Sequence, residues 1–172
     1  MHLGGDFSVV HSCRFAGDAV DQHEGSIFSS ADAYAAEMPS LEGLTALIVD
    51  DELDSRTLVG RLIEERGGRA ILAGGAEEAL DVLARERVDV LVSDIGMPHK
   101  DGYGLIREIR RRNPLGSGRV PAIALTAYAR AEDRQRALLA GYQMHLAKPI
   151  EPRELIAGVA SLANLPPADR GT

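Results

Sequence analysis

The stretch Val88-Asp-Val-Leu-Val-Ser-Asp94-Ile-Gly-Met-Pro98-His-Lys-Asp101-Gly102 decides the fold. Val88 to Ser93 is apolar and β-branched apart from Asp89 and Ser93, and its length suits a buried strand rather than a helix. The strand runs into a carboxylate, Asp94. Turn chemistry follows at Gly96, Pro98 and the Asp101-Gly102 pair. A parallel strand that ends on an acid places that acid at the carboxyl edge of its sheet, where open α/β sheets bind ligands.

Working outward, the chain alternates. Thr45 to Val49 reads as a strand, Asp54 to Arg66 as a helix with Leu58, Leu62 and Ile63 on one side, and Gly67-Gly68 as its stop. Arg69 to Ala73 is a short strand, and Ala76 to Glu86 a helix with Ala79, Leu80 and Leu83 inward. Beyond the central stretch, Gly104 to Arg112 is a helix facing inward through Leu105, Ile106 and Ile109, with Arg107, Arg110 and Arg111 mostly outside. A loop at 113–118 leads to a strand at Val120 to Leu125. A helix at Arg130 to Leu139 stops at Gly141. A strand at Met144 to Ala147 and a helix at Pro152 to Ala163 complete the series, the helix burying Leu155, Ile156, Val159, Leu162 and Ala163. Five strands alternating with five helices predict an α/β fold, a doubly wound five-stranded parallel sheet with helices on both faces. The apolar runs fit strands buried on both sides.

Composition sets further bounds. The 172 residues are 45% apolar and 4% aromatic, without tryptophan, so the core is aliphatic. A net charge of -7 argues against nucleic acid or an anionic membrane as the main partner. The single cysteine, Cys13, excludes an internal disulfide. No apolar run reaches membrane-spanning length and the start lacks a secretory signal, so a cytoplasmic location is expected. Residues 1–42 hold seven acids against one base, Arg14, and no sustained period before Ser29. They read as an acidic, largely disordered tail or linker, with one short helix at Ala31 to Met38 and with His2, His11 and His23 solvated. Residues 43–165 form the predicted domain, 166–172 a C-terminal tail.

Four strand ends carry functional groups: Asp50-Asp51, Asp94, Thr126-Ala127 and Lys148-Pro149. In a doubly wound sheet these strands are neighbours, so three carboxylates, a hydroxyl and an ammonium converge. Two carboxylates about 4 Å apart repel by roughly 4 kcal/mol at an effective dielectric of 20. A divalent cation relieves that, and oxygen ligands suit Mg²⁺. The lysine and hydroxyl beside it suit a phosphoryl group.

The set Val49-Asp50-Asp51, Ser93 to Pro98 with Asp101-Gly102, Ala124 to Ala127 and Ala147-Lys148-Pro149 resembles the receiver domain of two-component response regulators. The resemblance covers residues 44 to 164, and the Ala124 to Ala129 segment is similar to receivers of hybrid histidine kinases. It implies a flavodoxin-like three-layer sandwich. It implies that Asp94 accepts a phosphoryl group from a phosphohistidine, with Mg²⁺ held by Asp50, Asp51, Asp94 and the Gly96 backbone carbonyl. Lys148 would pair with phosphoryl oxygen, Thr126 would draw its loop inward, and the Lys148-Pro149 bond would be cis. The chain would then be a phosphoacceptor that assists its own phosphorylation and dephosphorylation, not an enzyme. Its partners would be a histidine kinase or histidine phosphotransfer protein and a downstream protein target, with no DNA-binding output, nucleic acid or membrane, and with a homodimer through the last two helices open to it.

Three residues depart from the pattern. His145 stands where the family's switch position carries an aromatic, and reads either as a surface imidazole or as a polar switch whose swing depends on pH. Lys100 replaces an apolar loop residue, and Tyr128 is placed to cover the phosphoryl group partly. Two other classes compete with the receiver reading. A Mg²⁺-dependent phosphatase of the haloacid-dehalogenase type needs a second Asp two residues after the nucleophile, where this chain has Gly96. A pseudo-receiver scaffold would have no need of the intact set Asp50, Asp51, Asp94, Thr126 and Lys148.

Overall fold

The computed structural model describes residues 38–98, 100–112, 119–127 and 130–163. The expected helix at Ala31 to Met38, the three tail histidines, Tyr128 and the loop at 113–118 fall wholly or almost wholly outside them. Ten elements alternate: β1 Thr45–Val49, α1 Leu53–Glu64, β2 Arg69–Ala73, α2 Ala76–Arg85, β3 Val90–Asp94, α3 Gly102–Arg112, β4 Ala122–Thr126, α4 Ala131–Ala140, β5 Met144–Ala147 and α5 Pro152–Ala163. All pairings are parallel, in the order β2-β1-β3-β4-β5.

Strand periodicity sorts side chains onto the two faces. Leu47 and Val49 of β1 join Leu91, Ala122 and Ala124 beneath α2, α3 and α4. Ala46 and Ile48 join Val90, Val92, Ile123 and Leu125 beneath α1 and α5. Each face is a closed apolar layer, which is why β3 and β4 are buried along their whole length. Met38 and Leu41 belong to the second layer, and Leu41 is fully buried. The chain segment ahead of β1 therefore packs at the amino edge of the sheet, held there by Arg66, which donates to the carbonyls of Met38 and Pro39.

Two sequence expectations change in the fold. Helix α1 buries Val59, Gly60 and Ile63, whereas Leu58 is 58% exposed. Val59 and Ile63 lie one turn apart and meet the sheet, so the helix is turned about one residue from the expected phase. Arg110 is not outside. Its guanidinium reaches the carbonyls of Val120 at 2.8 Å and Gly141 at 2.8 Å, and Gln143 Oε1 at 3.2 Å. Gly141, at φ 120°, makes this possible by ending α4 in a backbone region that favours glycine. As expected, β3 ends on Asp94, and β4 runs one residue past Leu125 to end on Thr126.

Candidate functional site

The strand order reverses between β1 and β3, because the chain leaves β2 at one edge and returns past β1. Such a switch point opens a crevice at the carboxyl ends of the strands. Asp50 follows β1 and Asp94 ends β3, so both carboxylates stand in that crevice. Together with Asp51 they form a cluster whose oxygens lie within 4.8 Å of one another. Lys148, just after β5, extends its Nζ between them, 2.9 Å from Asp50 Oδ2 and 3.0 Å from Asp94 Oδ1.

The three acids are not equivalent. Asp50 is buried and its oxygens are engaged. Oδ1 accepts from the Glu52 N–H at 2.9 Å, and Oδ2 accepts from Ser55 Oγ at 2.7 Å as well as from Lys148. Asp51 is exposed and Asp94 is buried, its side chain 10% exposed. Arg56 Nη1 donates to the backbone carbonyls of Asp50 and Asp51 at 3.1 and 3.3 Å, which pins the loop after β1. Ser55 and Arg56 are the partners that sequence reasoning missed. Their only signal was their position in the first turn of α1, facing the acidic pair.

Burial is the largest influence on Asp94 and pushes its pKa up. The hydrogen bond and charge of Lys148 and the Gly96 N–H pull it down, while Asp50 adds to the rise, and the net direction is up. For Lys148, burial alone would lower the pKa, but the bonds and charges of Asp50 and Asp94 outweigh it and the net direction is up. One ammonium facing two carboxylates is favoured in its charged form. A carboxylate that shares that ammonium with a second acid is not.

The loop after β3 is built by close backbone approach. A side chain at Gly102 would place its Cβ 2.9 Å from Ile95 Cα and 3.0 Å from the Tyr142 hydroxyl. Tyr142, buried, donates to the Gly102 carbonyl at 2.8 Å, and burial drives its own pKa upward. Asp101 Oδ1 accepts from the Gly104 N–H at 2.7 Å, capping the first turn of α3. The Asp101-Gly102 pair thus closes the loop that carries Gly96.

Residues 46–160 match the family model of the response regulator receiver domain. The chain belongs to that family. An uncharacterized 14.6 kDa protein of Leptolyngbya boryana is 47% identical over 119 residues, covering 69% of this chain and 89% of that one. A probable histidine kinase of rice is 34% identical over 133 residues, but the chain spans only 13% of its length. Among solved structures, the receiver domain of sensor histidine kinase PA1611 from Pseudomonas aeruginosa superposes with a TM-score of 0.64 at 34% identity, covering 70% of this chain and 98% of that one. Its crystal holds a magnesium ion in the active-site cleft. The flavodoxin-like architecture expected from the resemblance is the one found.

Within this receiver, the predicted site residues Asp50, Asp51, Asp94 and Lys148 are brought together. Gly96 lies beside them, its N–H on the Asp94 carboxylate. Thr126 is buried at the end of β4, and its carbonyl accepts from the Lys148 N–H at 2.7 Å. The Lys148-Pro149 bond is cis. His145 sits apart from the cluster on β5, opposite Ala124. It is half-buried in a groove of about 710 Å³ beside α4, lined also by Arg134, Leu138, Met144 and Glu154. Its Nε2 is buried and, among the described residues, has no hydrogen-bond partner. No helix among the described residues is long and apolar enough to cross a membrane.

Proposed function

We propose that this receiver is a phosphoacceptor of a two-component phosphorelay and that Asp94 carries the phosphoryl group. The observation that supports this reading is the placement of one buried carboxylate, Asp94, at the switch point, with Lys148 Nζ at 3.0 Å and two further acids beside it. The donor is a phosphohistidine of a histidine kinase or histidine phosphotransfer protein. An Asp94 oxygen attacks phosphorus, the P–O bond forms as the P–N bond breaks, and the imidazole leaves with the bonding electron pair. Burial makes Asp94 a stronger base and hence a better nucleophile than a solvated aspartate. Lys148 stands ready to move from Asp94 to the incoming phosphoryl oxygen, and Thr126 to donate to another.

The acid cluster fits Mg²⁺. Asp51 and Asp94 have oxygens to offer, while Asp50, tied to Glu52 and Ser55, acts directly or through water, and the Gly96 carbonyl completes the set. Bound there, the ion neutralises the negative charge that would otherwise oppose attack on a phosphoryl group. The chain's own residues position the reactants, so it needs no further catalytic group, acts only on its own phosphorylation and dephosphorylation, and signals in the cytoplasm by contact with a protein target.

The test is phosphorylation of the purified chain by acetyl phosphate or a phosphohistidine donor with Mg²⁺, followed by mass spectrometry. One phosphoryl group on Asp94 is expected, absent in Asp94→Asn and strongly slowed in Lys148→Ala. A phosphoryl group on another residue, or steady turnover of p-nitrophenyl phosphate, would refute the reading.

A further inference from the structure

Charge along this receiver is polarised. Residues 100 to 140 hold nine bases against four acids, in a chain whose net charge is -7. Six of these bases and three of the acids lie on α3 and α4. These helices meet where the Arg136 guanidinium lies 4.6 Å from the centre of the Tyr103 ring. Between them runs a groove of about 430 Å³ lined by Arg107, Glu132, Gln135, Arg136, Leu139 and Ala140. Arg107 and Arg136 are exposed, and neither is within ion-pair distance of a carboxylate among the described residues. Leu139 is 80% exposed, the most exposed large apolar side chain among the described residues. A groove with two arginines against one glutamate, Glu132, and an uncovered leucine at its wall suits an acidic segment that also carries apolar side chains.

The chain contains such a segment. Phe15 to Phe28 holds Asp18, Asp21 and Glu24 without a base, flanked by Phe15 at one end and Ile27-Phe28 at the other. All three phenylalanines of the chain, Phe7, Phe15 and Phe28, lie in the first 28 residues. A stretch that stays solvated is normally poor in aromatics, so acidity alone does not account for this composition. We propose that residues 15–28 dock in the α3–α4 groove of their own chain, with Asp18, Asp21 and Glu24 toward Arg107 and Arg136 and a phenylalanine over Leu139.

The geometry permits it. In a parallel α/β fold the helices run back toward the amino edge of the sheet, so the later turns of α3 and α4 lie at that edge. Met38, where the described chain begins, is held at the same edge by Arg66. Nine residues lie between Phe28 and Met38, and the ten steps from one to the other span up to about 33 Å when extended. The axes of the two helix layers are roughly 20 Å apart, given helix diameters of about 10 Å. Tethering holds the segment at a millimolar-scale effective concentration, so a weak contact suffices to populate the docked form. Docked, it covers the α3–α4 edge and must be displaced by any partner that uses it.

Cys13, the single cysteine, lies two residues before Phe15 and takes a nitroxide label in the full chain. Paramagnetic broadening is expected for amides of α3 from Arg107 onward and of α4 from Arg136 onward, while α1 and α5 stay sharp. High salt, where the Debye length falls to about 3 Å, should weaken the effect. Arg107→Glu with Arg136→Glu should remove it, with sheet amides unshifted as the check on folding. Reversing Asp18, Asp21 and Glu24 to lysine in that background should restore it. Broadening that is absent, spread evenly, centred on another face or indifferent to the double reversal overturns the proposal. So does broadening transferred from a labelled chain to an isotope-labelled Cys13→Ser chain, since the occupant would then be a second copy.

Discussion

Replacing Asp94 with asparagine should make the metal-free protein more stable at neutral pH. At an effective dielectric of 20, Lys148 at 3.0 Å attracts the ionised carboxylate by about 5.5 kcal/mol, and Asp50, within 4.8 Å, repels it by at least about 3.5 kcal/mol. Asp51 is exposed, so its repulsion is screened to about 1 kcal/mol. At most roughly 1 kcal/mol remains in favour of the charge, less than the several kcal/mol lost when a carboxylate leaves water. The net direction agrees with the raised pKa of Asp94, whose largest cause is burial. Asparagine keeps an acceptor for Lys148 and removes the charge, and the expected gain is about 1–2 kcal/mol. Urea denaturation should show a higher midpoint with an unchanged slope. The pH dependence has a definite sign. A carboxyl whose folded pKa is raised destabilises the fold at pH values above that pKa. The penalty fades as pH falls through the folded pKa toward 3.8 and vanishes below it. The advantage of Asp94→Asn should therefore be full at neutral pH and disappear toward acid. Added Mg²⁺ should shrink it by stabilising the wild type. A loss of stability at neutral pH, or a gain that survives in acid, would show that Lys148 more than compensates the burial of Asp94.

Arg110→Ala should destabilise by about 2–3 kcal/mol, because the carbonyls of Val120 and Gly141 lose a charged donor in a half-buried setting. Arg110→Lys should recover less than half of that in the same denaturation assay, since one ammonium cannot span both carbonyls and Gln143. His145→Phe should stabilise by about 1 kcal/mol, as it removes a buried nitrogen that has no partner among the described residues. An unchanged or lowered melting temperature would mean that Nε2 finds a donor or acceptor in solution.

Much of this receiver was legible along the chain. The bounds of β1, β2, β5 and α5 follow from short apolar runs and turn residues, because backbone propensity and side-chain period act over a few neighbours. The placement of the candidate site residues was legible too, since Asp50, Asp51, Asp94, Thr126 and Lys148 each stand at a strand end. What sequence could not supply was anything set by contacts between distant segments. The phase of α1, with Val59 inward and Leu58 outward, is decided by the sheet beneath it. Arg110 reads as one more surface base until Gly141, 31 residues on, presents its carbonyl. Ser55 acquires its role only because α1 starts beside the buried Asp50. The inequality of the three acids arises the same way. Lys148 and Asp50 are 98 residues apart, and only the order β2-β1-β3-β4-β5 brings them to 2.9 Å. Local pattern specifies elements, whereas charge, burial and hydrogen-bond satisfaction belong to the space between them.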